Sequence, residues 1–229
     1  MSKDKRNIER HQIRTAILVD GGFYRKRARL LFGDKNPKER AEELRDYCYK
    51  HLNDSYENRY LYRVFYYDCA PIDKNIYHPL TQKSVNLGKT DVYKWMNEFL
   101  KELKHNRKFA LRLGKISEGF ATYQLKVDIT KKLFKDSIKL SDISENDFSI
   151  SLQQKGVDMK IGIDISSLAY KQQVNQIILI SGDSDFVPAA KQARREGIDF
   201  ILDPMKATIK DDLFEHIDGI RTPSYKNKK

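Results

Sequence analysis

The 229-residue chain has only two cysteines, Cys48 and Cys69. They form no CxxC pairing, so no thiol-based zinc site or dithiol redox motif is encoded. One disulfide is open to such a chain, but two buried thiols in a reducing cytoplasm is the more economical reading, and a cytoplasmic protein is expected. No run approaches the roughly 18 apolar residues of a membrane span, so no membrane partner is expected. The opening residues Met-Ser-Lys-Asp-Lys-Arg-Asn lead into no apolar stretch, which argues against a secretory signal. His11, His51, His78, His105 and His216 occur singly, without a neighbouring motif, and read as surface or packing residues. Gly21-Gly22-Phe23-Tyr24-Arg25-Lys26 lacks the further glycine that a dinucleotide fingerprint needs for pyrophosphate approach.

What the chain does have is charge. Charged residues make up 33% of it and the net charge is +11. Residues 1–14 hold five basic and two acidic side chains, and residues 221–229 hold four basic and no acidic ones. Most of the excess therefore sits in the tails. Basic tails at 1–13 and 220–229 help a protein find a polyanion through counterion release without specifying a site. Plain solubility explains them equally well.

Between the tails, residues 14–219 alternate strand and helix patterns, which predicts an α/β domain with a mainly parallel sheet covered by helices. The expected strands are Thr15–Asp20, Tyr60–Tyr67, Phe109–Ile116, Gln176–Ser181 and Ile198–Leu202. Helices are expected over Phe23–Phe32, Pro37–Leu52, Asp91–His105, Asp158–Tyr170, Asp185–Glu196 and Ile209–Ile217. In Asp91–His105 the residues Val92, Trp95, Met96, Phe99 and Leu103 recur at amphipathic spacing. Residues 117–155 read as an inserted hairpin or flap, with strand-like Tyr123–Val127 and Phe148–Leu152.

Carboxylates gather where such a sheet collects its ligands. Asp20 follows Ala16-Ile17-Leu18-Val19, and Asp183 follows Ile177-Ile178-Leu179-Ile180. The carboxyl ends of parallel strands open on one crevice, at the point where strand order reverses. With strand order 3-2-1-4-5, strands one and four are neighbours, and Asp20 and Asp183 can share an ion. Asp158 opens the helix that feeds strand four and can approach from above. Clustered carboxylates repel one another, and hard oxygen ligands suit Mg²⁺ or Mn²⁺. Each acid also has a bland reading. Asp-Gly is a turn, Asp185 or Ser184 a helix cap, and Asp158 an acid favoured by the helix dipole. A haloacid-dehalogenase-like phosphatase needs an acidic residue two positions after its first aspartate, where this chain has Gly22.

Three segments carry a resemblance: Ile17-Leu18-Val19-Asp20-Gly21-Gly22-Phe23, Lys155-Gly156-Val157-Asp158-Met159-Lys160, and Ser181-Gly182-Asp183-Ser184-Asp185-Phe186-Val187-Pro188. In this order they resemble the NYN-domain family, bacterial relatives of the PIN-like nucleases, from about Arg14 to Gly219. The resemblance implies a PIN-like, Rossmannoid three-layer sandwich and a metal-dependent ribonuclease holding one or two Mg²⁺ or Mn²⁺ ions. Carried across by position, metal binding falls on Asp20, Asp158 and Asp183, with Asp185 as a fourth catalytic acid. Asp164 and Ser181 are expected one step back, touching those acids rather than the ion. Many relatives have Asn where this chain has Phe23, a departure that bears on catalysis.

Phosphodiester hydrolysis needs an activated water and a stabilised leaving group, which two ions about 4 Å apart can supply. Arg25 and Arg27 on the first helix, with Lys155 and Lys160 around Asp158, are the candidates for holding RNA phosphates. A solvated helix face is the alternative for each. Tyr66, Tyr67 and Phe23 near strand ends are candidates for stacking on unpaired bases, which would favour single-stranded RNA. Core packing competes with that reading. The sequence also leaves room for a homo-oligomer. The rival function is a non-catalytic RNA-binding or regulatory module on the same fold.

Overall fold

The computed structural model describes residues 12–53, 58–117, 119 and 121–224. Most of the two basic tails lies outside these residues. The chain runs β1 (Ile13–Asp20), α1 (Gly21–Phe32), α2 (Pro37–Lys50), β2 (Arg59–Cys69), β3 (Asn75–Tyr77), β4 (Ser84–Asn86) and α3 (Asp91–His105). It continues with β5 (Phe109–Ile116), β6 (Thr122–Leu125), α4 (Val127–Phe134), β7 (Phe148–Ser151), β8 (Gln154–Lys155) and α5 (Val157–Tyr170). The last elements are β9 (Gln176–Ile180), α6 (Val187–Arg195), β10 (Asp199–Asp203), α7 (Asp211–Glu215) and β11 (Gly219–Ile220).

Seven strands make the main sheet in the order β11-β10-β9-β1-β2-β5-β8. All neighbours are parallel except β5 and β8. The central strands are apolar runs because both their faces are covered. Alternate residues of β1 and β9 point to opposite sides. Ala16, Leu18, Ile177 and Leu179 pack with Ile161, Ile165 and Leu168 of α5 and Ala190 of α6. Ile17, Val19, Ile178 and Ile180 pack with Tyr24 of α1, Leu44 of α2 and Phe99 and Leu103 of α3. The sheet thus lies between two helical layers. Both cysteines are free and buried.

Side-chain caps start the helices. Asn36 and Glu39 form a capping box at α2, with Pro37 in the first turn, and Thr90 accepts from the Tyr93 N–H at α3. Such caps satisfy backbone donors that the helix itself leaves unpaired. At α6 the observed start differs from the expected one. Asp183 caps a short 3₁₀ turn over Ser184–Phe186, and α6 begins only at Val187, without a side-chain cap. The last helix is likewise shorter than expected, Asp211–Glu215.

Two excursions leave the sheet at its carboxyl edge. β3 and β4 form one antiparallel hairpin, and β6 and β7 pair antiparallel around the intervening α4. The strand-like parts of 117–155 do form a pair, but the helix α4 between them was not expected, and Val127 opens that helix rather than closing a strand; none of its residues is buried. The excursions pack on each other: the His78 ring lies 4.4 Å from that of Tyr123 and 4.8 Å from that of Phe148. Among the described residues no helix is long and apolar enough to cross a membrane.

Candidate metal and phosphate site

β1 and β9 are parallel neighbours with Val19 opposite Ile180. Their next residues, Asp20 and Ser181, therefore emerge side by side. The Asp20 carboxylate caps α1 by accepting the Phe23 N–H at 3.1 Å through Oδ1. Its other oxygen accepts the Ser181 hydroxyl at 3.2 Å. Ser181 Oγ in turn accepts the Asp183 N–H at 3.3 Å. Asp183 turns its Oδ1 to the Asp185 N–H at 3.0 Å. Asp20, Ser181 and Asp183 line one cleft with Phe23, Thr208 and Lys210. Asp158 and Asp185 line an adjoining one between α5 and α6.

The field at this edge is that of crowded anions. Burial holds the Asp20 carboxyl above its usual value, against the two hydrogen bonds that lower it, and the charges of Asp158 and Asp68 add to the rise. Asp158 is also raised, first by burial and then by Asp183 and Asp185. Asp20, Asp158, Asp183 and Asp185 thus belong to one electrostatic group. Among the described residues, however, no three of His, Cys, Asp and Glu converge closely enough to hold a metal ion. The tight cluster of Asp20, Asp158 and Asp183 expected from the sequence is therefore not formed. Strand register brings Asp20 and Ser181 together, whereas Asp158 comes from a helix and Asp183 from the loop two residues past β9.

An acid that sequence reasoning passed over lies one strand away. Asp68, near the end of β2, is 2% exposed. It accepts Nε and Nη2 of Arg25 at 3.0 and 3.1 Å, the Tyr66 hydroxyl at 2.7 Å and the Cys69 N–H at 2.8 Å. A Cβ on Gly21 would fall 2.5 Å from the Tyr66 hydroxyl and 2.6 Å from Asp68 Oδ2, so only glycine lets α1 start here. The signal was available: an aspartate closing the strand run Val64-Phe65-Tyr66-Tyr67, as Asp20 closes β1.

The expected phosphate ligands are mostly engaged within the fold. Arg25 is the bidentate partner of Asp68, and Arg27 donates through Nε and Nη2 to the Met205 carbonyl at 3.1 and 2.7 Å. Lys160 donates to the Leu113 carbonyl at 2.9 Å. Lys155 is exposed on β8, Cα partner of Lys115. Asp164 accepts the Tyr67 hydroxyl at 2.8 Å and Arg112 Nε at 3.0 Å, and touches none of the edge acids by a hydrogen bond. Tyr66 and Tyr67 are fully buried, so neither can stack on a base. Phe23 is partly buried, and a Cβ on Gly182 would meet its ring at 2.9 Å.

The sequence model of the NYN domain matches residues 74–215. That span holds Asp158, Asp164, Asp183 and Asp185, while Asp20 and α1 lie N-terminal to it. The match is thus narrower than the reach from Arg14 to Gly219 expected from the motifs. No curated protein matches the chain. A crystal structure of a protein of unknown function from Vibrio parahaemolyticus is 15% identical, covers 96% of this chain and 94% of that chain, and has a TM-score of 0.46.

Proposed function

The chain belongs to the NYN-domain family, and from that premise we propose that it is a ribonuclease that cleaves single-stranded RNA with a divalent cation at the Asp20–Asp183 edge. One observation carries the reading: Asp20 and Asp183 line one cleft beside Asp158 and Asp185, and burial first, then the charges of neighbouring acids, raises the carboxyls of Asp20 and Asp158. Uncompensated carboxylates cost stability, and a cation between them removes that cost. The donors, carboxylate and hydroxyl oxygens, suit a hard divalent ion. Mg²⁺ keeps several waters and rests on one or two carboxylates, which accords with acids that do not close into a cage.

Asp20 and Asp183, which line one cleft, would hold the ion together with its waters, and the charges of Asp158 and Asp185 would add to its attraction. When bound, it supplies a lowered pKa for an attacking water and neutralises charge on the leaving oxygen. The remaining work falls to the chain. Ser181 fixes the Asp20 carboxylate and orders the backbone at Asp183. The Asp158 carboxyl is raised by burial and then by Asp183 and Asp185, a strain that a cation at the edge would relieve. Lys210, in the cleft with Asp20 and Asp183, offers an ammonium to a phosphate; its Nζ lies 3.2 Å from Ser184 Oγ.

A non-catalytic RNA-binding module is the second reading. Phe23 favours it, because a phenyl ring over Gly182 offers no ligand where many relatives have an amide. Purified full-length protein incubated with labelled single-stranded RNA and Mn²⁺ separates the two. The nuclease reading expects products with wild type, none with EDTA and none with Asp183→Asn. RNA binding without cleavage in wild type would establish the binding module.

A further inference from the structure

Beside the acidic edge lies a cavity of about 290 Å³ that the proposed chemistry leaves unused. Its floor is the Arg25–Asp68 pair, and its apolar wall includes Ile72 and Leu87 from the first excursion, Met96 from α3, and Ile150 and Leu152 from the second. Thr90 and Gln154 add polar atoms to the same wall. The two excursions, absent from the plain alternation of strand and helix, thus meet on α3 to enclose it.

We infer that this cavity receives one unpaired nucleobase of the RNA whose phosphate lies at the Asp20–Asp183 edge. The inference rests on the nuclease reading for the position of the phosphate, but not for the existence of the pocket. Its size falls at the lower end of small-molecule sites, which run from roughly 300 Å³ upward, and matches one ring system better than a whole nucleotide. Its make-up suits a base: apolar faces for the ring, with the Gln154 amide beside them for the polar edge. Asp68 stands on β2, the neighbour of β1, so the pocket opens one strand from Asp20.

Charge around the pocket agrees. Lys115 and Lys155 are direct cross-strand partners next to the pocket pair Ile116 and Gln154. Both lysines are exposed, and together they present positive charge to an RNA phosphate beside the pocket. A strand of RNA crossing the β5–β8 edge can place phosphate on the lysines and a base in the pocket.

The test uses adenosine 5′-monophosphate and ribose 5-phosphate as probes, with methyl NMR of the full chain. The monophosphate should shift the methyls of Val92, Met96, Ile150 and Leu152, and ribose 5-phosphate should leave them in place. Val92→Asp, at a position 72% exposed and so harmless to folding, should weaken the monophosphate response at least tenfold. Leu152→Gln should do the same. Shifts that are equal for both probes, or that fall outside the pocket, overturn the inference, as does an unaltered response in both variants. Asp183→Asn should abolish cleavage but keep the pocket shifts. Pocket binding in a protein that never cleaves RNA would therefore defeat the nuclease reading alone.

Discussion

The Ser181 hydroxyl donates to Asp20 Oδ2 at 3.2 Å, tying the ends of β1 and β9 together at the acidic edge. The same oxygen accepts the Asp183 N–H, so one small side chain sets the positions of two acids. Ser181→Ala removes both contacts while changing little volume. It should push the Asp20 carboxyl further up and lower Mn²⁺-dependent cleavage about tenfold, the equivalent of ~1.4 kcal/mol. Titration of Asp20 by NMR beside a cleavage assay checks this; an unmoved carboxyl with full activity would leave Ser181 without that role.

Asp20→Asn should stabilise the metal-free protein at neutral pH. Because the folded pKa of Asp20 lies above its unfolded value, its contribution to stability is fully present below about pH 3.8 and is lost as pH rises through the folded pKa. Asparagine still caps α1 and carries no charge. The Tm difference between variant and wild type should be smallest at pH 3 and grow to a few degrees by pH 7, read by thermal melts with EDTA. A difference independent of pH would refute the raised carboxyl.

Arg25→Ala should chiefly cost stability. It strips a 1% exposed carboxylate of its bidentate partner. Breaking a fully buried pair costs ~3–5 kcal/mol; because Arg25 itself is 29% exposed, about 2–3 kcal/mol is expected. Urea unfolding measures it. A near-zero change, with a marked fall in RNA affinity, would return Arg25 to the role of phosphate ligand.

Asp164→Ala should destabilise without silencing cleavage. Its carboxylate joins Tyr67 of β2 and Arg112 of β5 to α5, so its loss leaves the buried Tyr67 hydroxyl unpaired, at about 1–3 kcal/mol. Turnover within a few-fold of wild type is expected at a temperature where the variant is folded. Complete loss of turnover there would place Asp164 in the chemistry.

The five long strands were legible because Ile, Val, Leu and aromatic runs ending in turn residues admit few other folds. The acids at Asp20 and Asp183 were legible from the same runs. Asp68 was overlooked because it is followed by Cys69-Ala70-Pro71 rather than glycine, although it too closes a strand. Arg25 and Arg27 on α1 read as phosphate ligands, with a solvated face as the alternative, yet they turn back onto Asp68 and Met205. Sequence shows charge but not which carboxylate or carbonyl a long side chain reaches. Val92 fits the apolar stripe of α3 with Met96 and Phe99, but it lies on the first turn, is exposed, and packs in no core. The hairpin strands β3 and β4 are three residues each, and α4, although amphipathic, spans only eight, too short a window to establish a period.

The most direct test of the central claim, that a divalent cation sits at the Asp20–Asp183 edge, is calorimetry of Mn²⁺ binding in two buffers of different ionisation enthalpy. Wild type should bind weakly and release protons, because raised carboxyls must ionise to hold the ion. Asp158→Asn and Asp183→Asn should each weaken binding by an order of magnitude or more and reduce the proton release. Binding that is absent in wild type, or unchanged in both variants, would contradict the account.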